Sequence, residues 1–416
     1  MNMKKNVYIT SVGCRLNQFE VDILKSKFKQ LGCETNIEKD ADICVINTCT
    51  VTKNADVKSK KLIKSIIKKF SKSFVVVTGC IAETNPEFIK SIKGVDLVVD
   101  NKNKMRIPEL ILKNNSLKED IIYTTDRSKP YIKIQDGCNL LCSYCKVRIA
   151  RGRSVSENFE KILKTAEFLS KQGYPEIVIT GINIGDYNYD GKNLANLLKS
   201  LIKIDNLERI RLTSIEPNYI DDELLEVLKS EKICGYFHIP LQSGSDRILK
   251  LMNRPYKASD YEKIVNRIRE IRKDSIIGSD VIVGFPSETE EDFLATYNLL
   301  KRLNIFYLHI FRYSKREGTL AYNLGNEIDE NIKIMRAKIL NEYKEKSKKE
   351  FFKNCVGKVF SALIENKLVK SNFLKALTDN YIPVFINKEE AKNFIKKIVK
   401  VEVTDFDGKD LYGKIV

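Results

Sequence analysis

Histidine is scarce in this chain of 416 residues: only His238 and His309 occur. Both are remote in sequence from its clustered cysteines, so a zinc site with the usual four ligands is hard to assemble. Apolar runs long enough to cross a bilayer are also missing. The opening Met1-Asn2-Met3-Lys4-Lys5 leads straight into Val7-Tyr8-Ile9, too short for a signal h-region. A soluble, cytoplasmic protein without a membrane partner is therefore expected. The ten cysteines are irregularly spaced and do not form a secreted disulfide framework. Acidic residues are outnumbered, 55 against 72 Lys and Arg, for a formal net charge of +17. That surplus points to a polyanionic partner, nucleic acid ahead of membrane because no lipidation signal or amphipathic anchor is visible. A lysine-rich bias that merely solvates the surface has the same composition. Low-complexity tracts are absent, and the only repetition is a strand–helix alternation.

What the chain does have is a tight cysteine loop, Asp136-Gly137-Cys138-Asn139-Leu140-Leu141-Cys142-Ser143-Tyr144-Cys145, followed by Ala150-Arg151-Gly152-Arg153. Soft thiolates favour iron–sulfur clusters, zinc or Cu(I), and C-x3-C-x2-C spacing can wrap a single centre. No further Cys or His follows before Cys234, so a four-iron cluster here keeps one iron open to a small chelating molecule. The alternatives are a structural zinc knot or a group of buried thiols.

The length suits two or three domains, each with its own core. Up to about residue 118, Val/Ile-rich runs at Val7–Val12, Ile43–Asn47, Phe74–Thr78 and Asp96–Val99 alternate with helical patterns at Asn17–Leu31, Ala55–Phe70 and Glu87–Ile92. This is a doubly wound, mostly parallel α/β pattern. Cys14, Cys49 and Cys80 each lie just beyond a strand's carboxyl end, where open parallel sheets bind ligands. They can converge as a second ligand set provided the three strands are neighbours. Cys33 and Cys44 read as small buried hydrophobes. The lysine-rich helix with Lys58, Lys60, Lys61, Lys64, Lys68 and Lys69 reads as solvated surface.

A polar stretch from Asn114 to Pro130 reads as a linker. Six strand–helix units follow, with strands at Tyr131–Gln135, Glu176–Thr180, Arg209–Thr213, Tyr236–Pro240, Ile277–Val283 and Ile305–Phe311, as expected for a partial, open (βα)6 barrel. Its functional face is the carboxyl end of the strands, and the cysteine loop follows the first of them. Gly181, Asn183, Ser214, Glu216, Gln242 and Ser243 sit at the other strand ends, where small and polar residues can hold ribose and amino-acid groups. A basic helical stretch, Asp329 to Lys353, leads into five short alternating strands, the pattern of a small OB-like β-barrel often used on nucleic acid. A purely structural β cap has the same pattern.

Along nearly its whole length the chain resembles the radical S-adenosylmethionine (SAM) methylthiotransferases. The match runs through Gly13-Cys14-x-x-Asn17, Asn47-Thr48-Cys49, Thr78-Gly79-Cys80, the cysteine loop with Ala150-Arg151-Gly152-Arg153, Gln242-Ser243-Gly244-Ser245-Asp246 and Val283-Gly284-Phe285-Pro286. Thr378-Asp379-Asn380-Tyr381 looks like part of that family's TRAM domain, an RNA-contacting β-barrel. The resemblance implies a methylthiotransferase domain (1–118), a radical SAM core (119–352) and a TRAM domain (353–416). It implies that Cys14, Cys49 and Cys80 bind an auxiliary [4Fe-4S] cluster and that Cys138, Cys142 and Cys145 bind the radical-SAM cluster. Tyr144 then lies near adenine, and the six strand-end residues above become candidate SAM contacts.

The implied reaction replaces an unactivated C–H by C–S–CH3. Acid–base chemistry cannot deprotonate such a carbon at useful rates, so a cofactor radical is required. One SAM supplies the methyl group and a second is reductively cleaved to the 5′-deoxyadenosyl radical. An external electron donor of flavodoxin or ferredoxin type, a sulfur donor and a monomeric state are further expectations. After Cys145 and Arg153 the chain departs from the family's usual wording, with Lys146-Val147-Arg148-Ile149 and Ser156-Glu157.

Branches of the family act on isopentenyladenosine in tRNA, threonylcarbamoyladenosine in tRNA, or an aspartate of a ribosomal protein. Thr213-Ser214-Ile215-Glu216-Pro217 and His309-Ile310-Phe311-Arg312-Tyr313-Ser314, with Gly318-Thr319, look like the threonylcarbamoyladenosine branch, whose reaction gives the 2-methylthio derivative at tRNA position 37. A threonylcarbamoyl group carries a carboxylate, so its pocket should offer cations. Arg148, Arg151, Arg153 and Arg312 are the candidates. Outside enzymes, the alternatives are an iron–sulfur RNA-binding protein or a two-cluster electron carrier.

Overall fold

The computed structural model describes residues 5–35, 37, 39–113 and 125–416. The Val/Ile-rich runs near the N-terminus form a five-stranded parallel sheet. Its three principal strands, Asn6–Ser11, Ile43–Thr48 and Phe74–Gly79, are direct neighbours, with Ile43–Thr48 in the middle. All six residues of that middle strand are buried, as expected where helices cover both faces. Helices Arg15–Gln30 and Lys53–Lys69 connect the strands. Ser59, Ile63 and Ile66 are the buried residues of the second helix, and its lysines Lys58, Lys60, Lys61, Lys64, Lys68 and Lys69 are exposed.

Six parallel strands follow in two sheets of three. Tyr131–Lys133, Glu176–Thr180 and Arg209–Leu212 make one; Tyr236–His238, Ile276–Val283 and Tyr307–Arg312 make the other. A single bridge between Ile210 and Ile233 carries the curvature from one to the other. The first and last strands do not pair among the described residues, so the barrel is open, and one continuous apolar core fills it. The α/β pattern and the six-unit reading therefore hold.

The last segment closes into a five-stranded barrel, Val359–Val369, Phe373–Thr378, Pro383–Asn387, Ile398–Phe406 and Leu411–Ile415. It docks on the amino ends of the large barrel's strands, opposite the face that carries Cys138, Cys142 and Cys145. Tyr381 Oη donates to Glu176 Oε1 at 2.5 Å, and Arg209 reaches Leu377 O and Ser361 Oγ. Arg211 lies between the Tyr236 and Tyr381 rings, 4.1 and 4.3 Å from their centres. Tyr236 and Ile276 belong to the small barrel's own apolar core.

The linker reading needs correction over its second half; residues 114–124 lie outside the described residues. Residues 125–130 are fastened to all three parts. Arg127 pairs with Asp22, Thr125 O accepts from Tyr174 Oη, and Lys129 pairs with Glu365 while Ser128 Oγ accepts from the Asn366 amide. A polar composition reads as solvent-facing, yet these polar groups are bound by partners distant in sequence.

Candidate active site

Strand neighbourhood brings Cys14, Cys49 and Cys80 together. The thiols of Cys14 and Cys80 act on that of Cys49, Cys80 acts on Cys14, and the Arg151 charge acts on both Cys14 and Cys49. The Cys49 and Cys80 side chains are buried, whereas Cys14 is exposed. Gly79 makes the approach possible: its φ is +95°, and a Cβ there would stand 2.4 Å from Thr48 O. Asn17 braces the loops, its Nδ2 donating to Val12 O and Thr48 O. Burial pushes the Cys49 thiol up to about 12.

Cys138, Cys142 and Cys145 also face one another, and burial, then the neighbouring Cys142, pushes Cys145 up to about 12. Gln135 holds their loop, its Nε2 donating to Asp136 O, Gly137 O and Ser154 Oγ. In each triad a buried thiol, Cys49 in one and Cys145 in the other, is costly to ionise unless a cation compensates it, which fits metal-cluster ligation. Cys33, Cys44, Cys234 and Cys355 are buried away from these sets.

Against the Cys138–Cys145 loop lies a cavity of about 240 Å³. Cys138, Cys142, Tyr144 and Cys145 wall it on one side. Val51 and Thr52, two and three residues past Cys49, close it from the N-terminal domain, and Phe311 to Ser314 from the last barrel strand. Of the strand-end candidates, Asn183, Glu216 and Gln242 line it; Gly181, Ser214 and Ser243 do not. Gly181 lets its backbone approach Gln135 O, where a Cβ would stand at 2.9 Å. Ser243 is fully buried and bonds Thr296 Oγ1 at 3.4 Å. Asn183 Oδ1 is buried with no donor, an acceptor open to a bound molecule. Tyr144 packs edge-on to Phe285 at 6.4 Å.

Two arginines escape sequence reasoning. Arg254, nearly fully buried, points Nη1 at Cys142 Sγ (3.0 Å) and Nη2 at the Glu216 carboxylate. It follows a helix rather than a strand, so the strand-end rule passes over it. Arg316 crosses to the N-terminal domain, donating to Thr50 O (2.7 Å) and pairing with Asp56 (2.6 Å). Only the tertiary fold shows that partner.

Arg151 corrects the expectation of a substrate-facing cation. Its side chain is 3% exposed and bonds Glu20 Oε1 (2.9 Å), Asp136 Oδ1 (3.0 Å) and Asn17 Oδ1 (2.7 Å). Burial would raise the Glu20 carboxyl, but Lys104 and Arg151 hold it well below the usual carboxylate range. Arg151 is thus a clasp between the N-terminal domain and the cysteine loop. Arg148 bonds Asn139 O and Arg153 is exposed; neither lines the cavity, whereas Arg312 does.

Residues 132–300 match the Radical SAM superfamily, residues 6–100 the Uncharacterized protein family UPF0004 and residues 353–416 the TRAM domain. In fold the chain is similar to the radical S-adenosylmethionine methyltransferase TsrM of Kitasatospora setae, with TM-score 0.59 at 16% identity over 77% of each chain. The Radical SAM match makes this chain a radical-SAM enzyme, and its fold agrees. The chain is 42% identical to the "Threonylcarbamoyladenosine tRNA methylthiotransferase MtaB" of Aquifex aeolicus, over 95% of this chain and 99% of that protein. It is 37% identical to the Bacillus subtilis protein of the same name, over 94% and 92%. A "tRNA-2-methylthio-N(6)-dimethylallyladenosine synthase" of Ehrlichia chaffeensis is 34% identical over 99% and 100%. The chain belongs to the radical-SAM tRNA methylthiotransferases, enzymes of SAM and iron–sulfur chemistry that act on tRNA.

Proposed function

We propose that this enzyme methylthiolates C2 of N6-threonylcarbamoyladenosine at position 37 of tRNA, using two SAM molecules and two [4Fe-4S] clusters. The observation that carries this reading is the single cavity bounded by Cys138, Cys142 and Cys145 on one wall and by the Val51–Thr52 turn after Cys49 on the other. When bound, the clusters and SAM supply the radical and the methylthio group. The chain's part is to hold both ligand sets around one carbon and keep water out. Cys138, Cys142 and Cys145 would hold the SAM-binding cluster, and Cys14, Cys49 and Cys80 the auxiliary one. Asn183, Glu216 and Gln242 offer polar contacts to SAM. Arg254 sets the Glu216 carboxylate and supplies charge beside Cys142. An external reductant and a sulfur donor complete the requirements.

Nucleoside mass spectrometry of tRNA from a strain lacking the gene tests the substrate. The methylthio form of threonylcarbamoyladenosine should vanish and the unmethylthiolated nucleoside accumulate. Persistence of that form, with loss of methylthio-isopentenyladenosine or of the ribosomal aspartate modification, overturns the assignment. The apolar part of the wall, Val51, Val147, Ile182, Ile282 and Phe311, makes the isopentenyl substrate the rival.

A further inference from the structure

The helix Lys53–Lys69 holds a single acidic residue, Asp56, against its lysines. That carboxylate is turned away from them, accepting from Thr50 Oγ1 at 2.6 Å and pairing with Arg316 at 2.6 Å. Ser59, Ile63 and Ile66 form the buried side. At about 3.6 residues per turn, Lys53, Lys60, Lys61, Lys64 and Lys68 fall within roughly a third of a turn on the opposite side. All five are exposed. With about 1.5 Å of rise per residue, the stripe from Lys53 to Lys68 is about 22 Å long.

Exposure alone would make this face solvent surface, but two observations set it apart. The first is that none of the five pairs with a carboxylate among the described residues. Lysines on other helices do, as in Lys90–Glu87, Lys161–Glu157 and Lys229–Glu226. Lys60 instead leans on the Phe88 ring, 4.3 Å from its centre. Lys64 has like charges three residues before it at Lys61 and four away on either side at Lys60 and Lys68. Such neighbours destabilise a helix in water, and a polyanion laid along them reverses that effect.

The second observation is where the stripe begins. Thr52 caps the helix and, with Val51, lines the cavity. Arg316 fixes this turn to the large barrel through Thr50 and Asp56. Because the helix joins two parallel strands, it runs back from the cavity rim along the sheet. No residue of the C-terminal barrel lines the cavity. Arg254 and Arg316, which do, are engaged by Glu216 and Asp56. Phosphates flanking a base in the cavity therefore need cations from elsewhere, and the stripe starts at that point.

We propose that the lysine face of Lys53–Lys69 is a track for the phosphate backbone of the anticodon stem of tRNA, separate from any contact made by the C-terminal barrel. It rests on tRNA being the substrate, whichever adenosine is modified. The lysines carry no sequence information; they hold the stem while the base enters the cavity.

The test uses reconstituted holoenzyme, full-length tRNA and the isolated anticodon stem-loop, with binding measured over a salt series. The variant is Lys60→Gln with Lys64→Gln and Lys68→Gln, which keeps good helix formers at exposed positions. Both RNAs should bind about tenfold or more weakly at about 0.1 M salt, and the slope of log K against log salt should fall by about 2–3. Without RNA the variant should melt no lower than wild type, since like charges have been removed. Unchanged affinity and slope overturn the inference. So does a loss confined to full-length tRNA, which places the stripe away from the modified base. Unchanged RNA binding with slower reduction of the holoenzyme by flavodoxin overturns it in favour of an acidic redox partner. A wild type that binds neither RNA overturns the tRNA reading as well.

Discussion

At the scale of single residues, the clasp around Arg151 decides more than its place in the sequence indicates. Ala150-Arg151-Gly152-Arg153 presents two arginines of the same type, yet one is sealed between domains and the other is exposed. Spacing cannot distinguish them, because the partners Glu20 and Asn17 come from the first helix. Glu20→Gln leaves Arg151 and Lys104 as buried cations without their shared carboxylate. Breaking a buried pair from one side costs about 3–5 kcal/mol, and urea titration should show a loss of that order. The pH dependence follows from the sign of the shift. A carboxyl held below its ordinary value contributes its full stability above the unfolded pKa, about 4.3. That contribution is lost progressively as pH falls from there to the depressed folded value. The difference between wild type and Glu20→Gln should therefore be the same at pH 5 and pH 7.

At the scale of elements, the site is a matter of strand ends. Alternating strands and helices were legible because Val/Ile runs and helical periodicity are local signals. So was the placement of Cys14, Cys49 and Cys80 just past their strands. Their neighbourhood was not, since strand order depends on which helices cover which face. It is the order with Ile43–Thr48 in the middle that unites the three thiols. Gly79 is the tightest point of that arrangement. A side chain there meets the backbone of the adjacent strand end, so Gly79→Ala should displace Cys80. Iron and sulfide per reconstituted chain should fall to about half, the loss of one ligand set out of two. An unchanged iron content would show that Cys80 tolerates the shift.

At the scale of the whole molecule, the small C-terminal barrel is not a detachable module. Removing it would expose Tyr236 and Ile276 and leave Glu176 and Arg209 without their bonds to Tyr381, Leu377 and Ser361. A deletion would therefore confuse folding with tRNA binding. Charge reversal separates them, because Lys367 and Lys397 of this barrel are exposed. Lys367→Glu with Lys397→Glu should weaken tRNA binding and reduce the slope of log K against log salt by about 1–2, as lost phosphate contacts do. The melting temperature should stay close to wild type. An unchanged slope would remove these lysines from the tRNA surface.

The sequence by itself determined the fold class, both cysteine sets as candidates and the basic balance suited to tRNA. Each is written in short-range spacing or in composition, which no tertiary contact alters. Tertiary structure alone decided that Arg151 and Arg316 clasp two domains, that Arg254 rather than Ser243 reaches the cavity, and that residues 125–130 bind all three parts. It also decided that two distant histidines share Asp280. Each of these depends on a partner far away in the chain, and the partners of a buried charge are chosen by packing rather than by spacing.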